Sequence, residues 1–305
     1  MIRRYALVDG RIQENGAEDA PILVYAAPTD EEKRQLIERF RIDEHTLASA
    51  LDPDELGRLE FEEDHLALIF KRPKNYSSQD NFLFKVWSYG LFIFRDRLVM
   101  VRLEDVPTFD ARQFCRLKTP LDVTLRIIHR TINHFVDHLR GIDRIAGELE
   151  QKIHASMENR YLLNMFTLEK SLVYYLYAIN SNGVVIEKLK ANAPKIGFTP
   201  ENLEYLDDLI IENNQCYRQA EILSGILSSM MDARASIVSN NLNVLIKTLN
   251  ILTILIMVPT FVVSAFSMNV KMPLSHDHPL TFWTIMALAG LSAAAFYLYW
   301  RHKKW

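Results

Sequence analysis

One stretch near the C-terminus places neutral oxygen atoms on a single helical face. Six side chains there are connected by steps of three or four residues, which keep residues on one side of a helix. The six are Asn243, Ile246, Leu249, Thr253, Met257 and Thr260. Three carry oxygen, three are apolar, and no carboxylate lies between Lys247 and Lys271. This face therefore offers uncharged oxygen ligands beside apolar surface.

A second candidate group is acidic. Asp207 and Asp208 are followed by Glu212, early in a run with helical spacing. Carboxylates suit divalent cations, but such a group also forms ordinary solvated helix surface. The sequence leaves both hypotheses open: a cation sensor at Asp207 and Asp208, or an exposed acidic face.

A third group consists of histidines on one predicted helix. They are His129, His134, His138 and His154. His134 and His138 are four residues apart and share a side of the helix, as a zinc pair would require. A structural or catalytic zinc site needs further ligands, and none is evident here. We therefore predict packing or solvent-facing histidines.

Composition and motifs argue against several classes of protein. The net charge of −3 gives no basic field for nucleic acid. No nucleophile–base constellation and no glycine-rich phosphate loop is found, so we predict neither an enzyme nor a bound cofactor. Cys115 and Cys216 lie far apart, as in a reduced cytosolic body. The first residues lack the apolar segment of a signal peptide.

Two apolar runs close the chain. Between Lys247 and Lys271 lie about 23 residues without a formal charge, long enough to cross a bilayer core of roughly 30 Å as a helix. A second uncharged run extends from about Pro279 to Trp300. The link between them is too short for a domain, so residues 247–305 are predicted to form a transmembrane hairpin. A pair of buried core helices is the alternative.

Charge around the two runs predicts their orientation. Arg301, Lys303 and Lys304 follow the second run, and Lys247 precedes the first. By the positive-inside rule both termini lie in the cytoplasm, and the chain crosses the inner (plasma) membrane twice. Lys271, in the link on the opposite side, runs weakly against this orientation.

Residues 1–118 are predicted to form a cytosolic domain with an antiparallel or mixed sheet and helices packed on it. Helix starts are expected at Thr29 and at Asp43 or Thr46. The predicted strands are residues 22–26, 58–61, 66–70, 82–87, 91–94 and 98–101. The fold class is thus α+β, followed by long helices.

Residues 119–246 are predicted to form a stalk of long helices. Apolar side chains recur every three to four residues from Leu121 to Ile153, and a second helical run extends from Leu162 to about Leu189. After Pro200 no proline occurs until Pro259, so one helix can continue into the first apolar run. A helix of this length cannot cover its flanks within one chain, and we expect a symmetric oligomer.

The end of the first apolar run resembles a family signature. Phe266-Ser267-Met268-Asn269 is similar to the Phe-Gly-Met-Asn or Tyr-Gly-Met-Asn turn of the CorA-like divalent-cation (Mg²⁺) transporter family, the two-membrane-helix Gly-x-Asn superfamily. The segment at residues 239–247 resembles that family's helix below the membrane. Residues 51–60 resemble its cytosolic strand region. The resemblance covers most of the chain.

The resemblance implies a homopentamer with a funnel-shaped cytosolic body. The first membrane helix would line the pore with the six side chains above, and the second would form an outer ring. Ser267, Met268 and Asn269 would form the selectivity turn, where a ring of Asn269 carbonyls holds a hydrated ion. Mg²⁺ suits such a ring because it gives up its water reluctantly. Ile246, Leu249 and Met257 could close the pore by dewetting.

The chain departs from the family pattern at three places. Ser267 replaces the glycine of the turn, and the loop after it carries Lys271 and Asp277, the latter between two histidines. Ala48-Ser49 stands where the family has an acidic pair before a Leu-Asp segment, which puts the usual intersubunit Mg²⁺ sensor in doubt.

The leading hypothesis is a channel for divalent cations, Mg²⁺ foremost and Co²⁺ or Ni²⁺ besides. Its predicted partners are the lipid bilayer, the transported ions and further copies of the same chain. No nucleic-acid partner is predicted. Two alternatives stay open. The loop histidines favour a Zn²⁺ transporter on the same fold, whereas Ser267 and Lys271 favour a non-conducting membrane scaffold or sensor.

Overall fold

The computed structural model describes residues 1–17, 19–107, 109, 114–115, 117–155, 159–268 and 280–302, without the side chains of Ser78, His154, Ala155 and Asn159. The chain divides into two compact units, Met1–Met231 and Asp232–Trp305. The predicted boundaries at residues 118 and 246 stay a prediction.

Seven strands and seven α-helices make up the described chain. The strands are β1 (Ile2–Val8), β2 (Arg11–Glu14), β3 (Ile22–Ala26), β4 (Arg58–Phe61), β5 (Leu66–Pro73), β6 (Val86–Ile93) and β7 (Leu98–Arg102). The helices are α1 (Asp30–Phe40), α2 (Glu44–Leu51), α3 (Pro120–Ala155), α4 (Asn159–Ala191), α5 (Ala193–Ile196), α6 (Pro200–Phe266) and α7 (Thr281–His302). A 3₁₀ turn covers Ser78–Asp80.

The strands form one mixed sheet in the order β2-β1-β3-β7-β6-β5-β4. Only β3 and β7 pair in parallel, and the other neighbours are antiparallel. The prediction of a mixed sheet with helices packed on it is confirmed. Both helix starts are also found where expected: the Thr29 side chain accepts from the backbone of Glu32, and Asp43 caps α2.

Two details of the predicted sheet are wrong. Residues 82–87 and 91–94 were expected as separate strands, whereas one strand, β6, covers Val86–Ile93. The chain turns at Asn81 and Phe82, which have φ values of 47° and 67°, so no strand continues through them. Strand β6 continues through Gly90. The glycine is there for packing: a Cβ at this position would lie 2.7 Å from Ala50 Cβ, so only glycine lets α2 approach the strand this closely.

The N-terminal hairpin was not predicted. Strands β1 and β2 are joined by Asp9 and Gly10, both with positive φ (50° and 71°). An Asp-Gly pair between two strands is a strong hairpin signal, since a tight primed turn needs φ above zero at both central residues. The Asp9-Gly10 pair is therefore the sequence signal for this hairpin.

The central strands β3, β5, β6 and β7 are largely buried on both faces of the sheet, which accounts for their continuous apolar runs. Alternate residues of β3 belong to different cores: Ile22 and Val24 face α3 and α4, while Leu23 and Tyr25 face α1 and α2. The apolar stripe predicted along α3 is confirmed, with Leu125, Ile132 and Leu139 at 1% exposure or less.

Helix α6 begins and continues as the proline positions predict. Pro200 is its first residue, where a missing N–H costs nothing, and the Thr199 hydroxyl accepts from the backbone of Asn202 at 3.2 Å. The helix continues through Pro259 and ends at Phe266.

A side chain of α4 completes the hydrogen bonds of β5. Strand β4 pairs with β5 only as far as Ile69. Beyond that point the fully buried Asn182 takes the place of a strand: its Oδ1 accepts from Lys71 N at 2.8 Å, and its Nδ2 donates to Lys71 O at 2.8 Å. Asn182 therefore joins α4 to the sheet.

Replacing this amide should destabilise the fold. Asn182→Ala leaves a buried N–H and a buried C=O without partners, which costs on the order of 3 kcal/mol of unfolding free energy. The expected result is a clearly lower thermal unfolding temperature in detergent. Asn192→Ala is the control, because it removes an amide that follows α4 and donates only to Lys188 O of that helix. Equal transitions for the two variants would contradict the role given to Asn182.

Candidate ion pathway

Two helices are long and apolar enough to cross a membrane. They are α6, through its C-terminal part, and α7. None of the residues in the apolar segment of α6 is buried within the chain, and 11% of those in the apolar segment of α7 are. Core helices of a soluble protein would be mostly buried. The exposure therefore favours the predicted hairpin over the alternative of two core helices.

Each of these helices has one partly covered face. On α6 the covered residues are Ile251, Leu255, Val258, Pro259, Val262, Ala265 and Phe266. On α7 they are Thr281, Ile285, Ala289, Ser292, Ala293, Phe296 and Trp300. Both sets recur every three to four residues, and both helices line a shared cavity. These are the faces that the two helices turn toward each other.

The six side chains singled out in the sequence lie on the other side of α6. All of Asn243, Ile246, Leu249, Thr253, Met257 and Thr260 are exposed. At 100° per residue, their mean direction is roughly 180° from that of the covered face. Helix α7 therefore leaves this oxygen-bearing face open.

The two threonines of this face share one hydrogen-bonding arrangement. Thr253 Oγ1 donates to Leu249 O at 2.9 Å, and Thr260 Oγ1 donates to Ile256 O at 2.7 Å. A hydroxyl has a single proton and two acceptor lone pairs. Because the proton is used within the helix, each threonine oxygen can act only as an acceptor toward anything outside it.

The predicted selectivity turn is only partly described. Helix α6 ends at Phe266, and Ser267 N donates to Ser264 O at 3.1 Å. Met268 is exposed at the helix end. Asn269 lies outside the described residues, as do Lys271, Asp277 and the rest of the loop.

The acidic residues of α6 are dispersed rather than gathered. Asp207 is ion-paired with Lys190. Asp208 lies at the edge of a cavity that Asp122 and Arg126 also line. Within the described part of a single chain, no three Asp, Glu, His or Cys residues are grouped as metal ligands. The sensor at Asp207 and Asp208 stays a prediction that requires ligands from elsewhere.

Glu212 has a role that the sequence did not indicate. Its carboxylate lies 3.0 Å from His129 Nε2, and the same imidazole contacts Tyr205 OH through Nδ1. Arg126 donates to that hydroxyl at 2.9 Å. The sequence hints at this cluster through spacing. Arg126 and His129 share one face of α3, and their partners Tyr205 and Glu212 lie two turns apart on α6. The cluster joins α3 to α6.

His134 and His138 pack together on α3 and do not form a zinc site with a third described ligand. Their ring centroids are 4.5 Å apart, and His138 Nδ1 lies 2.6 Å from Tyr175 OH. Burial lowers the pKa of His134 to about 3, with the neighbouring His138 adding to the effect. Burial likewise lowers the pKa of His138 to about 4. Both are neutral packing histidines.

A body with a mixed sheet and long helices, followed in sequence by two exposed apolar helices, is typical of an integral-membrane protein. The family model described as CorA-like Mg²⁺ transporter protein matches residues 21–303. The chain belongs to this family of transporters.

Individual relatives agree over the whole chain. The cobalt/magnesium transport protein CorA of Methanocaldococcus jannaschii is 26% identical over 312 residues, which cover 98% of this chain and 96% of that protein. The complete structure of the CorA magnesium transporter from the same organism superposes with a TM-score of 0.81 at 22% identity, covering 98% and 96% of the two chains. The full-length CmaX protein gives a TM-score of 0.75 at 17% identity, covering 99% and 97%. Both structures show the fold.

The buried histidines predict acid sensitivity. The pKa of His138 in the folded chain, about 4, lies below its ordinary value of 6.5. The unfolded chain therefore binds more protons in this window, and stability should fall as the pH drops from about 6.5 to about 4. His138→Gln should weaken this dependence of the unfolding temperature. His302→Gln, at an exposed position, should not. Identical pH slopes for wild type and His138→Gln would contradict the prediction.

Proposed function

We propose that this chain forms a homopentameric channel that moves divalent cations, Mg²⁺ foremost, down their electrochemical gradient. Membership of the CorA-like Mg²⁺ transporter family supports divalent-cation transport. The whole-length relative in Methanocaldococcus jannaschii is named a cobalt/magnesium transport protein. The observation that carries the proposal is the exposed face of α6 on the side away from α7. Five such faces around one axis would enclose a pore.

The open face suits a hydrated ion. Mg²⁺ keeps several of its waters, and those waters donate hydrogen bonds outward. Thr253 and Thr260 present acceptor lone pairs, because their own protons are bound to the helix backbone. Each ring of five threonine oxygens would therefore receive hydrogen bonds from the water shell without removing the ion from it.

Apolar side chains alternate with these oxygens and would control opening. Ile246, Leu249 and Met257 are 47%, 64% and 62% exposed within one chain. In a pentamer each would form an apolar ring, and a narrow apolar ring stops conduction by excluding water. Opening then requires only a small increase in radius at these three levels.

The selectivity turn would lie at the mouth opposite the Lys247 end of α6. We propose that Asn269 supplies a ring of amide oxygens and that Ser267 replaces glycine in ending the helix, as its local bond to Ser264 O supports. No ATP site is required, since a membrane potential of 100 mV supplies about 4.6 kcal/mol for a divalent ion.

Both termini are proposed to lie in the cytoplasm. The cations at the ends of the two spans, Lys247 and Arg301, belong to the same end of the hairpin, and short cationic flanks stay on the cytoplasmic side. The body formed by Met1–Met231 would then face the cytoplasm as well.

The direct test is cation flux into liposomes that contain the purified full chain. Mg²⁺, Co²⁺, Ni²⁺ and Zn²⁺ are compared under an imposed potential, and the expected result is saturable Mg²⁺ entry. If only Zn²⁺ entered, the chain would be a Zn²⁺ transporter and the proposal of Mg²⁺ as substrate would be wrong. Absence of flux for every metal would contradict transport and leave a membrane scaffold. A native mass of one chain in detergent would contradict the shared pore.

Asn269→Ala should strongly impair Mg²⁺ flux. The change removes the proposed ring of amide oxygens at the mouth, and we expect a loss of about tenfold or more. Asn241→Ala removes an amide from α6 away from the open face and serves as the control. Wild-type flux in Asn269→Ala would rule out the amide ring.

Thr253→Val should reduce flux while leaving the shape of the side chain almost unchanged. Each subunit would lose one hydrogen bond to the water shell, worth about 1 kcal/mol, so a decrease of about fivefold or more is expected. Thr284→Val is the matched control: its hydroxyl also donates to its own helix, at 2.8 Å, but it lies on α7. A similar decrease in both variants would count against a pore lined by α6.

A further inference from the structure

A cavity of about 440 Å³ lies between α6 and α7, on the side of α6 that faces α7. It is built by the second unit alone and shares no residue with the proposed pore face. Its lining residues are Val244, Lys247, Thr248, Asn250, Ile251, Ile254, Phe296, Tyr299 and Trp300.

The lining is divided by polarity along the direction of the helices. Lys247 lines the end where α6 enters the apolar segment, and Trp300 lines the same end on α7. Ile251, Ile254 and Phe296 lie further into the apolar segments. One end of the cavity is therefore cationic and aromatic, as at a membrane–water interface, and the other is apolar.

Asp232 is the one described carboxylate of the second unit, and it lies 15 residues before Lys247, about 22 Å along α6. From Ala233 to Met268 and from Leu280 to His302, the described residues include no Asp or Glu. The cations of this region, among them Arg301 next to Trp300, are not balanced by any carboxylate there. A cation at the edge of an apolar segment attracts the anionic headgroups of the adjoining leaflet.

A second copy of this chain does not supply such an anion well. A neighbouring second unit placed against the cavity would bring one described carboxylate, Asp232, which lies about 22 Å along α6 from the Lys247 level. An anionic phospholipid carries both parts that the lining requires: a phosphate for the cationic end and an acyl chain for the apolar end. Basic sites between membrane helices are known to hold such headgroups.

We infer that this cavity binds one anionic phospholipid of the leaflet at the Lys247 end. Its phosphate lies beside Lys247 and the Trp300 indole, and an acyl chain lies along Ile251, Ile254 and Phe296. The inference rests on the proposed two-span arrangement, but not on conduction. The bound lipid lies between α6 and α7 and fixes the distance between the two helices.

The test is native mass spectrometry of the full chain after equilibration with phosphatidylglycerol or phosphatidylcholine. We expect phosphatidylglycerol to be retained in preference. Lys247→Gln should reduce that preference about fivefold, the effect of one cation near a charged membrane surface. Arg301→Gln removes the same charge one residue away from the cavity lining and should change retention much less. Ile251→Phe keeps the charge and narrows the cavity, and it should also release the lipid.

Three outcomes would overturn the inference. Equal retention of the two lipids would show that no anion site exists. Equal losses in Lys247→Gln and Arg301→Gln would show only general attraction to the surface. Loss of oligomer mass instead of lipid mass in Ile251→Phe would show that a second copy of the chain fills the cavity. None of these results depends on flux, so failure of the lipid site and failure of transport can be told apart.

Discussion

The structure depends on a division of α6 into two opposite faces. An apolar helix satisfies its backbone internally, so only its side chains decide what each face can meet. The face toward α7 carries partly covered apolar residues such as Val258 and Val262, whereas the face away from it carries Asn243, Thr253 and Thr260. Because α7 covers one side only, the other side stays exposed within one chain, and in the proposed channel it would meet further copies of the chain. The proposed pore, the outer position of α7 and the lipid cavity all follow from this division.

Much of the fold could be predicted because it is encoded in long periodic signals. Charge-free length identified the two apolar helices, and the stripe along α3 identified its buried side, since neither needs knowledge of distant contacts. Strand boundaries were harder. Gly90 looks like a break in sequence, yet it is a point of close approach to Ala50. Asn182 and Glu212 could not be assigned roles because their partners, Lys71 and His129, lie 111 and 83 positions away along the chain and meet them only in three dimensions.

The candidate site was accessible to sequence reasoning for a different reason. Residues spaced by three or four along a helix must share a side, so the six positions from Asn243 to Thr260 could be grouped without a structure. Spacing alone does not say which side the neighbouring helix takes, and the covered residues of α6 add that information. The number of chains around the proposed pore is a property of the assembly. The sequence of one chain indicates that number only through the family resemblance.

The hydroxyls of Thr253 and Thr260 have one more consequence. With their protons turned back to Leu249 O and Ile256 O, they offer lone pairs and no donor. A chloride or phosphate ion needs donors, and at these two levels it would meet only the negative ends of dipoles. In the proposed pore, these two levels would therefore favour cations over anions although the helix bears no charge there. A carboxylate ring would attract Mg²⁺ strongly and slow its departure, whereas these neutral oxygens would let the cation leave.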